Sequence, residues 1–222
     1  MALILSIETT TTNCSVSLSK KGEILVLKED YNTKFSHAES LHVFIHDVVE
    51  SVEIKLSDID AIAVSKGPGS YTGLRIGVSA AKGLCFSLDK PLISVPTLES
   101  LSYQVNVDEG FIVPMLDARR MEIYSAIFDV NHHQIRDTEA QILDANSFSN
   151  YLNKNKVYFI GNGVEKTKTL IQHENAIFIE NKLPSANEMG KIAHKKFLNN
   201  NFENVAYFEP YYLKDFILGK SI

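Results

Sequence analysis

A glycine-containing segment at residues 65–78 has the residue types that could bind an anion. It reads Ser-Lys-Gly-Pro-Gly-Ser-Tyr-Thr-Gly-Leu-Arg-Ile-Gly-Val. Gly67 and Gly69 permit backbone angles that other residues avoid, and Pro68 restricts the turn between them. Such a loop can direct main-chain N–H groups and the N-terminus of a following helix at a phosphate or carboxylate. A tight structural turn fits the same pattern, so both interpretations stay open.

Two well-known glycine motifs do not fit this segment. A P-loop has Gly, four residues and then Gly-Lys-Ser/Thr, but Thr72 or Leu74 stands where the second glycine belongs. A dinucleotide fingerprint would need a third glycine at Thr72 and normally follows the first strand of a chain. The segment therefore predicts neither of these nucleotide sites.

A second candidate for anion binding is the polar turn at residues 8–13, Glu-Thr-Thr-Thr-Thr-Asn. It joins an apolar run, residues 2–7, to residues 14–19, which alternate as a half-buried strand does. Hydroxyl groups there can hold phosphate oxygens, although such groups more often satisfy neighbouring backbone atoms. A strand, a hydroxyl-rich turn and a hairpin resemble the phosphate-binding opening of the actin, Hsp70 and sugar-kinase superfamily.

Histidines on the first predicted helix are candidates for a metal site or an interface. Ser36 and Glu39 form a capping box that starts this helix, and His37 lies in its first turn. His42 and His46 are one turn apart and could face a metal. No recognisable motif places a carboxylate or cysteine with them, so we expect no metal there.

The elements that would position these residues alternate between strands and helices. Strand 59–64 leads into the glycine segment, and residues 79–85 have helical spacing. A strand at 91–96 is followed by a helix from Thr97. Further along, a second hairpin echoes the N-terminal one, with strand 111–116, charged turn 117–120 and strand 121–128. A strand at 157–160 precedes Gly161-Asn162-Gly163. A capping box at Ser185 and Glu188 starts a helix to about residue 198.

Polarity rises near residues 106–110, and we place a lobe boundary there. The prediction is a first lobe of residues 1–106, carrying the glycine segment and partner-binding helices, and a second lobe of residues 107–222.

Composition indicates an ordinary globular protein. The 222 residues are 45% hydrophobic and 22% charged, with a net charge of −5 that gives no overall basic footprint for nucleic acid. Cys14 and Cys85 lie in apolar segments and are predicted to be reduced core residues. No signal peptide and no run of transmembrane length is visible, so we expect a cytoplasmic protein without membrane contact.

Residues along the whole chain resemble the TsaB (YeaZ) family. The long block Gly67–Gly77 with Ala80-Ala81-Lys82-Gly83-Leu84 is its most specific part. Other segments also match the family and occur in the same order along the chain: Ile7-Glu8-Thr9, His37-Ala38-Glu39-Ser40-Leu41, Asp117-Ala118-Arg119-Arg120 with Glu122-Ile123-Tyr124, and Glu209-Pro210-Tyr211-Tyr212-Leu213. Three positions depart from the pattern: Glu8 for the more common Asp, Tyr71 for Phe, and Met121 for the Gly that usually follows the two arginines.

The resemblance implies an α/β, actin-like ASKHA fold with two RNase H-like lobes, the second reduced. It implies a role in making N6-threonylcarbamoyladenosine (t6A) at position 37 of tRNAs that read ANN codons. The family member is understood as a non-catalytic partner of its paralogue TsaD, the transferase, with the ATPase TsaE joining them. Because the net charge of −5 gives no basic footprint, we expect tRNA contact only within that complex. We also expect a homodimer when TsaD is absent, and no cofactor.

A non-catalytic role has separate support from two residues. The transferase paralogue binds metal through two histidines four residues apart, and Thr97 and Leu101 stand at those positions here. Threonine is a poor metal ligand and leucine is none, so we predict that this metal site cannot form.

Two alternatives to the scaffold role stay open. One is an enzyme with residual ASKHA chemistry, such as ATP hydrolysis or glycoprotease-like cleavage, with Glu8, Thr9 and Asp117 as candidates. The other is a regulatory nucleotide binder that uses the threonine turn without turnover.

Two sets of site residues follow. The apolar stripe of the first helix and the glycine and alanine positions after residue 70 predict an interface for TsaD or for a second copy: His37, Ala38, Leu41, Val43, Phe44, Ile45, Val48, Gly73, Gly77, Ala80, Ala81 and Leu84. The loops and charged turns predict nucleotide or anion contacts: Glu8, Thr9, Thr10, Gly67, Gly69, Ser70, Arg75, Asp117, Arg119 and Arg120. We predict no catalytic residue and no metal ligand.

Overall fold

The computed structural model describes residues 2–31 and 37–214, which form two five-stranded mixed sheets. Ser36, the predicted first residue of the capping box, lies outside the described residues. Within the described ranges, no helix combines the length and apolar character needed to cross a membrane.

The first sheet has the strand order β3-β2-β1-β4-β5. Its first three strands form an antiparallel meander, and β1 then pairs in parallel with β4, and β4 in parallel with β5. The apolar runs form strands because both faces of this sheet are covered. The strands are β1 (Leu3–Glu8), β2 (Cys14–Lys20), β3 (Glu23–Asp30), β4 (Ala61–Gly67) and β5 (Leu92–Pro96).

The second sheet has the order β10-β9-β6-β7-β8, so its connectivity repeats that of the first sheet. Strands β6, β7 and β8 form the antiparallel meander, and β9 and β10 extend it in parallel. The predicted echo between the two hairpins is therefore present. The strands are β6 (Phe111–Asp117), β7 (Glu122–Phe128), β8 (Gln134–Ile142), β9 (Val157–Ile160) and β10 (Ala176–Ile179).

The helices are much shorter in the second half of the repeat. In chain order, the third and fourth strands of the first sheet are joined through a helix of 14 residues, and those of the second sheet through a helix of 4 residues. The helix after the fourth strand has 18 residues in the first sheet and 7 residues in the second. The helices are α1 (His37–Glu50), α2 (Tyr71–Leu88), α3 (Thr97–Ser102), α4 (Ser149–Leu152), α5 (Val164–Leu170) and α6 (Met189–Leu198), with a 3₁₀ turn at Leu56–Asp58.

Alternate residues of β1 serve two different cores. Leu5 and Ile7 face α1 and α2, whereas Ile4 faces α6 on the other side of the sheet. Cys14 and Cys85 are buried free thiols in the first of these cores, as predicted. Burial raises the pKa of both thiols to about 12, so neither is reactive near neutral pH.

The last helix returns to the first sheet. Helix α6 falls within the predicted second lobe by sequence, yet it packs on β1, β2 and β5, and Glu203 forms an antiparallel bridge with Leu92. The lobe boundary at residues 106 and 107 stays a prediction. The predicted capping box was wrong, because α6 begins at Met189 and the Ser185 hydroxyl donates to Glu29, 2.8 Å away.

Candidate functional site

The glycine segment forms the junction between β4 and α2. The strand ends at Gly67 and the helix begins at Tyr71. Ser70 is the N-cap, and its Oγ accepts a hydrogen bond from the Gly73 N–H at 3.2 Å. The Ser70 N–H donates to the Thr10 carbonyl at 2.7 Å. The start of the helix is thus attached to the turn between β1 and β2.

Glycine is required at this junction because the threonine turn lies directly on the helix. A Cβ on Gly73 would stand 2.0 Å from the Thr9 carbonyl oxygen, and one on Gly77 would stand 2.3 Å from Thr9 Oγ1. At Gly69 the nearest atom is Thr10 Cβ, at 2.5 Å. The Thr9 Oγ1 also donates to the Gly73 carbonyl at 2.7 Å. The sequence assigned this flat helix face partly to a protein partner, whereas the chain's own turn occupies it.

Glu8 lies at the centre of this junction, and its carboxyl group is completely buried. One carboxylate oxygen accepts from the Thr10 N–H at 2.6 Å and from the Thr10 hydroxyl at 2.5 Å. The other accepts a short hydrogen bond from the Ser65 hydroxyl. Burial raises the pKa of Glu8 above its usual range, although the hydrogen bonds from Ser65 and Thr10 oppose the shift.

The donors predicted to hold an anion are therefore engaged inside the protein. Thr9 and Thr10 are buried, and their hydroxyl groups donate to Gly73 and Glu8. The amides of Ser70 and Gly73 have internal acceptors as well. Of the two interpretations that the sequence left open, these contacts favour the structural turn. Nucleotide or anion contact at Glu8, Thr9, Thr10, Gly67, Gly69 and Ser70 stays a prediction.

His37 joins helix α1 to the same junction. Its ring is 2% exposed, and its Nε2 donates to the Thr11 carbonyl at 2.7 Å. Burial lowers the pKa of His37, because the charged form would lose hydration. The structure gives this residue a contact inside the chain where the sequence predicted an interface.

The predicted interface residues divide into an inward and an outward set. Seven are buried against the chain's own sheet and cannot meet a partner directly: His37, Leu41, Ile45, Val48, Gly73, Gly77 and Ala81. Hydrophobic spacing finds the stripe that a helix buries, but it does not say whether a sheet or a partner covers it. The remaining five are at least partly exposed: Ala38, Val43, Phe44, Ala80 and Leu84.

An outer helical face remains, which we define as Val43 and Phe44 of α1 with Ala80, Gly83 and Phe86 of α2. Phe86 is 86% exposed and Val43 is 54% exposed. Among the described residues, no atom beyond its chain neighbours and the local backbone of α2 lies within 4 Å of where a Cβ on Gly83 would be, so this glycine faces open space. Sequence reasoning missed Gly83 and Phe86. The available signal was that Phe86 lies off the buried stripe of α2, where a large apolar residue has no core to join.

The charged turn between β6 and β7 has a different construction. Asp117, Arg119 and Arg120 are all exposed. The Asp117 carboxylate accepts from the Arg119 N–H at 2.6 Å and from Lys166 Nζ at 2.8 Å. Asn162, in the second glycine turn, accepts from the Asp117 N–H at 2.8 Å. Asp117 shares no hydrogen bond with Glu8 or Thr9, so the described contacts do not unite the candidates for residual enzyme chemistry.

Arg75 lies on the exposed side of α2 beside two tyrosines. Its guanidinium carbon is 4.0 Å from the centre of the Tyr71 ring, and its Nε donates to the Tyr212 hydroxyl at 3.3 Å. The two tyrosine rings have centroids 4.8 Å apart. Tyr211 donates its N–H to the Lys66 carbonyl at 2.7 Å. The C-terminal segment thus crosses the end of the glycine loop.

The positions of the paralogue's histidines lie in the protein interior. Thr97 and Leu101 have no exposed surface, and Leu101 packs in the core between α3 and β6. Among the residues that the structure describes, nothing hydrogen-bonds to the buried Thr97 hydroxyl. His46 has carboxylate neighbours on the surface of α1, with its Nδ1 3.8 Å from Asp47 and 3.6 Å from Glu50.

Comparison with known proteins relates this geometry to one family. The family model for TsaD, tRNA N6-adenosine threonylcarbamoyltransferase, matches residues 32–218. The chain is 28% identical to the tRNA threonylcarbamoyladenosine biosynthesis protein TsaB of Escherichia coli, over 99% of this chain and 97% of that protein. It is 34% identical to the protein of the same name from Bacillus subtilis, over 56% of this chain and 54% of that relative.

A solved structure of a related protein has the same fold. YeaZ from Pseudomonas aeruginosa superposes with a TM-score of 0.83 at 24% identity, covering 96% of this chain and all of that one. Together with the repeated sheet topology, this confirms the predicted actin-like ASKHA architecture with a reduced second half.

Proposed function

Because this chain belongs to the TsaB (YeaZ) family, we propose that it is the non-catalytic subunit in the synthesis of t6A at position 37 of tRNAs that read ANN codons. It pairs with the transferase TsaD and supports it, and the ATPase TsaE binds the pair. Transfer of the threonylcarbamoyl group takes place on TsaD. When TsaD is absent, the chain forms a homodimer through the same surface.

The closed junction at the first turn is the observation that carries the non-catalytic role. A site that held phosphates there would need free hydroxyl and amide donors at the turn. Here the threonine hydroxyls donate to Gly73 and Glu8, and the amides of Ser70 and Gly73 donate to Thr10 and to the Ser70 hydroxyl. An anion entering the junction would have to displace several buried hydrogen bonds at once.

The replaced metal position supports the same conclusion. Thr97 and Leu101 stand where the transferase has histidines, and both are fully buried. A divalent ion at this position would find a hydroxyl, which is a poor ligand, and an isobutyl side chain, which is none. The catalytic metal of the pair therefore belongs to the transferase.

The outer helical face supports pairing through α1 and α2. Phe86 is one of the most exposed large apolar side chains of the described residues, and Gly83 beside it leaves room for a close approach. Aromatic residues are enriched in the buried centre of protein interfaces. Phe44, Ala80 and Leu84 are half-exposed and extend this face along the contact between the helices.

The proposal is tested by measuring the affinity of the purified chain for the TsaD protein of the same organism. Val43→Glu, Ala80→Arg and Phe86→Glu place a charge on the outer helical face, and each is expected to weaken the pair at least about 30-fold, the effect of losing roughly 2 kcal/mol at an interface centre. Ile142→Glu is the matched control, because Ile142 is 74% exposed on the second sheet.

Circular dichroism and thermal melting show whether each variant keeps the wild-type fold. Wild-type affinity for TsaD in all three helix variants would contradict the interface, and an absence of any complex with wild-type protein would contradict the proposed function.

A further inference from the structure

The turn between β6 and β7 carries two arginines in an unfavourable backbone region. Arg119 has φ of +70° and Arg120 has φ of +50°. The turn is closed by the Ala118 N–H donating to Glu122 at 3.0 Å and the Glu122 N–H donating to Arg119 at 3.1 Å. Glycine and asparagine adopt such angles most easily, and long side chains do so at a cost. The turn geometry therefore does not itself favour arginine at either position.

The carboxylates near this turn are already paired with lysines. Lys166 is 2.8 Å from Asp117, and Lys214 forms an ion pair with Glu122. Within residues 2–31 and 37–214, no carboxylate oxygen lies within 4.0 Å of the guanidinium of Arg75, Arg119 or Arg120. Among the described residues, the charges of these three arginines thus have no carboxylate partner, on a chain whose net charge is −5.

The C-terminal segment places Arg75 on the same side of the molecule as this turn. Tyr212 contacts Arg75 and Tyr71, and Lys214, two residues later, pairs with Glu122 at the base of the turn. Two residues of extended chain span at most about 7 Å. Both Lys214 and Arg119 lie close enough to the Tyr124 hydroxyl to oppose the burial that raises the pKa of Tyr124.

We propose that Arg75, Arg119 and Arg120, with Tyr71 and Tyr212, form a surface that binds the phosphate backbone of RNA. A guanidinium group matches two phosphate oxygens at once, and tyrosine rings stack on bases of any sequence. This combination favours RNA over an acidic protein, which would use the cations but not the rings. The inference rests on the proposed function, because three arginines on an acidic chain give weak binding alone and become effective when TsaD supplies further contacts.

Arg75 also connects this surface to the outer helical face. It lies on the exposed side of α2, and the exposed positions Ser79, Gly83 and Phe86 follow it along the helix. An RNA held by the heterodimer could therefore contact this arginine–tyrosine surface without leaving the partner. Its role is to position the RNA for the transferase, without base-specific contacts.

The test is a titration of the purified heterodimer with an unmodified tRNA transcript, followed by fluorescence anisotropy from 50 to 300 mM salt. The variant Arg119→Asn with Arg120→Gly removes two charges and places favourable residues at both positive φ angles. We expect it to bind at least about 10-fold more weakly at 100 mM salt, with the slope of log affinity against log salt reduced by about 1.5 to 2. Arg119→Lys with Arg120→Lys should keep most of the slope.

Lys154→Ala with Lys191→Ala is the matched control, because it removes two exposed charges at the far ends of the two sheets. It should leave affinity and slope within twofold of wild type. Equal affinity and slope in the Asn-Gly variant would overturn the proposal, as would an equal loss in the lysine control. Retained RNA binding with lost TsaE binding would assign the surface to a protein partner and would also overturn it.

Gel filtration of the mixture with TsaD separates this inference from the proposed function. If no heterodimer forms, the proposed function fails, and the same titration on the isolated chain at 25 mM salt still decides the inference. Binding of the wild-type chain that the Asn-Gly variant loses supports the RNA surface, and equal curves reject it.

Discussion

The turns that join the first two strands of each sheet occupy equivalent places in the repeat, yet they differ in almost every physical property. The turn after β1 is buried, carries hydroxyl groups, and has its donors bonded to Glu8 and Gly73. The turn after β6 is exposed, carries charges, and directs Arg119 and Arg120 to solvent. The first turn is therefore a structural junction, and the second is available for contacts.

The difference follows from the helix that comes after the fourth strand. Helix α2 has 18 residues and two glycines that let it lie against Thr9, so it covers the first turn. Helix α5 has 7 residues, and its preceding glycines, Gly161 and Gly163, bring it against Met115. It reaches the second turn through Lys166, which donates to the Asp117 carboxylate and to the Arg120 carbonyl. The first turn therefore lies directly on its helix, whereas the second is attached to its helix by a long side chain.

The largest effect is expected from a substitution that disrupts the first junction. Gly73→Ala places a methyl group 2.0 Å from the Thr9 carbonyl, so the helix or the turn must move. We expect a loss of about 3 kcal/mol in the free energy of unfolding, measured by urea denaturation. Gly83→Ala is the matched control on the same helix, and its open surroundings predict a gain of about 0.5 to 1 kcal/mol. Equal stability of the two variants would contradict the described contact.

A smaller effect concerns the charge buried in that junction. Because the folded-state pKa of Glu8 is raised above the ordinary 4.5, the native chain keeps a proton that the unfolded chain has lost. Stability should fall by about 1.4 kcal/mol per pH unit between these two pKa values and stay level above the higher one. Glu8→Gln cannot titrate, so its curve should lack this fall and lie above wild type at neutral pH.

Denaturation of both proteins from pH 4.5 to pH 8 gives the difference between their free energies of unfolding at each pH. Glu99 and Glu188 also have raised pKa values, but their contributions largely cancel in this difference. A difference that does not change across this range would show that Glu8 has an ordinary pKa in the folded protein.

The smallest expected effect concerns the second turn. The ion pair of Lys214 with Glu122 is partly exposed, with side chains 46% and 19% accessible. Lys214→Ala should cost no more than about 0.5 kcal/mol, and the cost should disappear in 0.5 M salt because exposed pairs are screened. A double-mutant cycle with Glu122→Gln measures the pair alone. A salt-independent coupling above about 2 kcal/mol would show that this turn is as firmly built as the first.

The sequence predicted the strands well because short apolar or alternating runs between turn residues have few other solutions. It did not show that Gly73 and Gly77 of α2 lie against Thr9, because this contact joins residues that are distant in sequence. It did not predict β8, whose polar residues lie at a sheet edge and alternate only weakly, or β10, a strand of four residues at the opposite edge.

Among the site residues, the sequence identified both helices and named positions on them that are at least partly exposed, such as Val43 and Ala80, together with buried ones. Leu41, Ile45 and Val48 form the stripe that covers the chain's own sheet, and sequence reasoning did not select Phe86, which lies off the buried stripe of α2. The interface itself stays a prediction. The closed state of the threonine turn could not be predicted either. It depends on hydrogen bonds between Thr9 or Thr10 and residues more than 55 positions away.

The central claim is that this chain supports t6A synthesis without taking part in the chemistry. Its most direct test is t6A formation on tRNA by TsaD and TsaE with threonylcarbamoyl-AMP, measured by mass spectrometry of nucleosides. We predict that the chain with Glu8→Gln and Asp117→Asn sustains the wild-type rate, whereas Phe86→Glu does not. Loss of t6A in the doubly substituted chain, while its fold and its affinity for TsaD stay intact, would contradict the account.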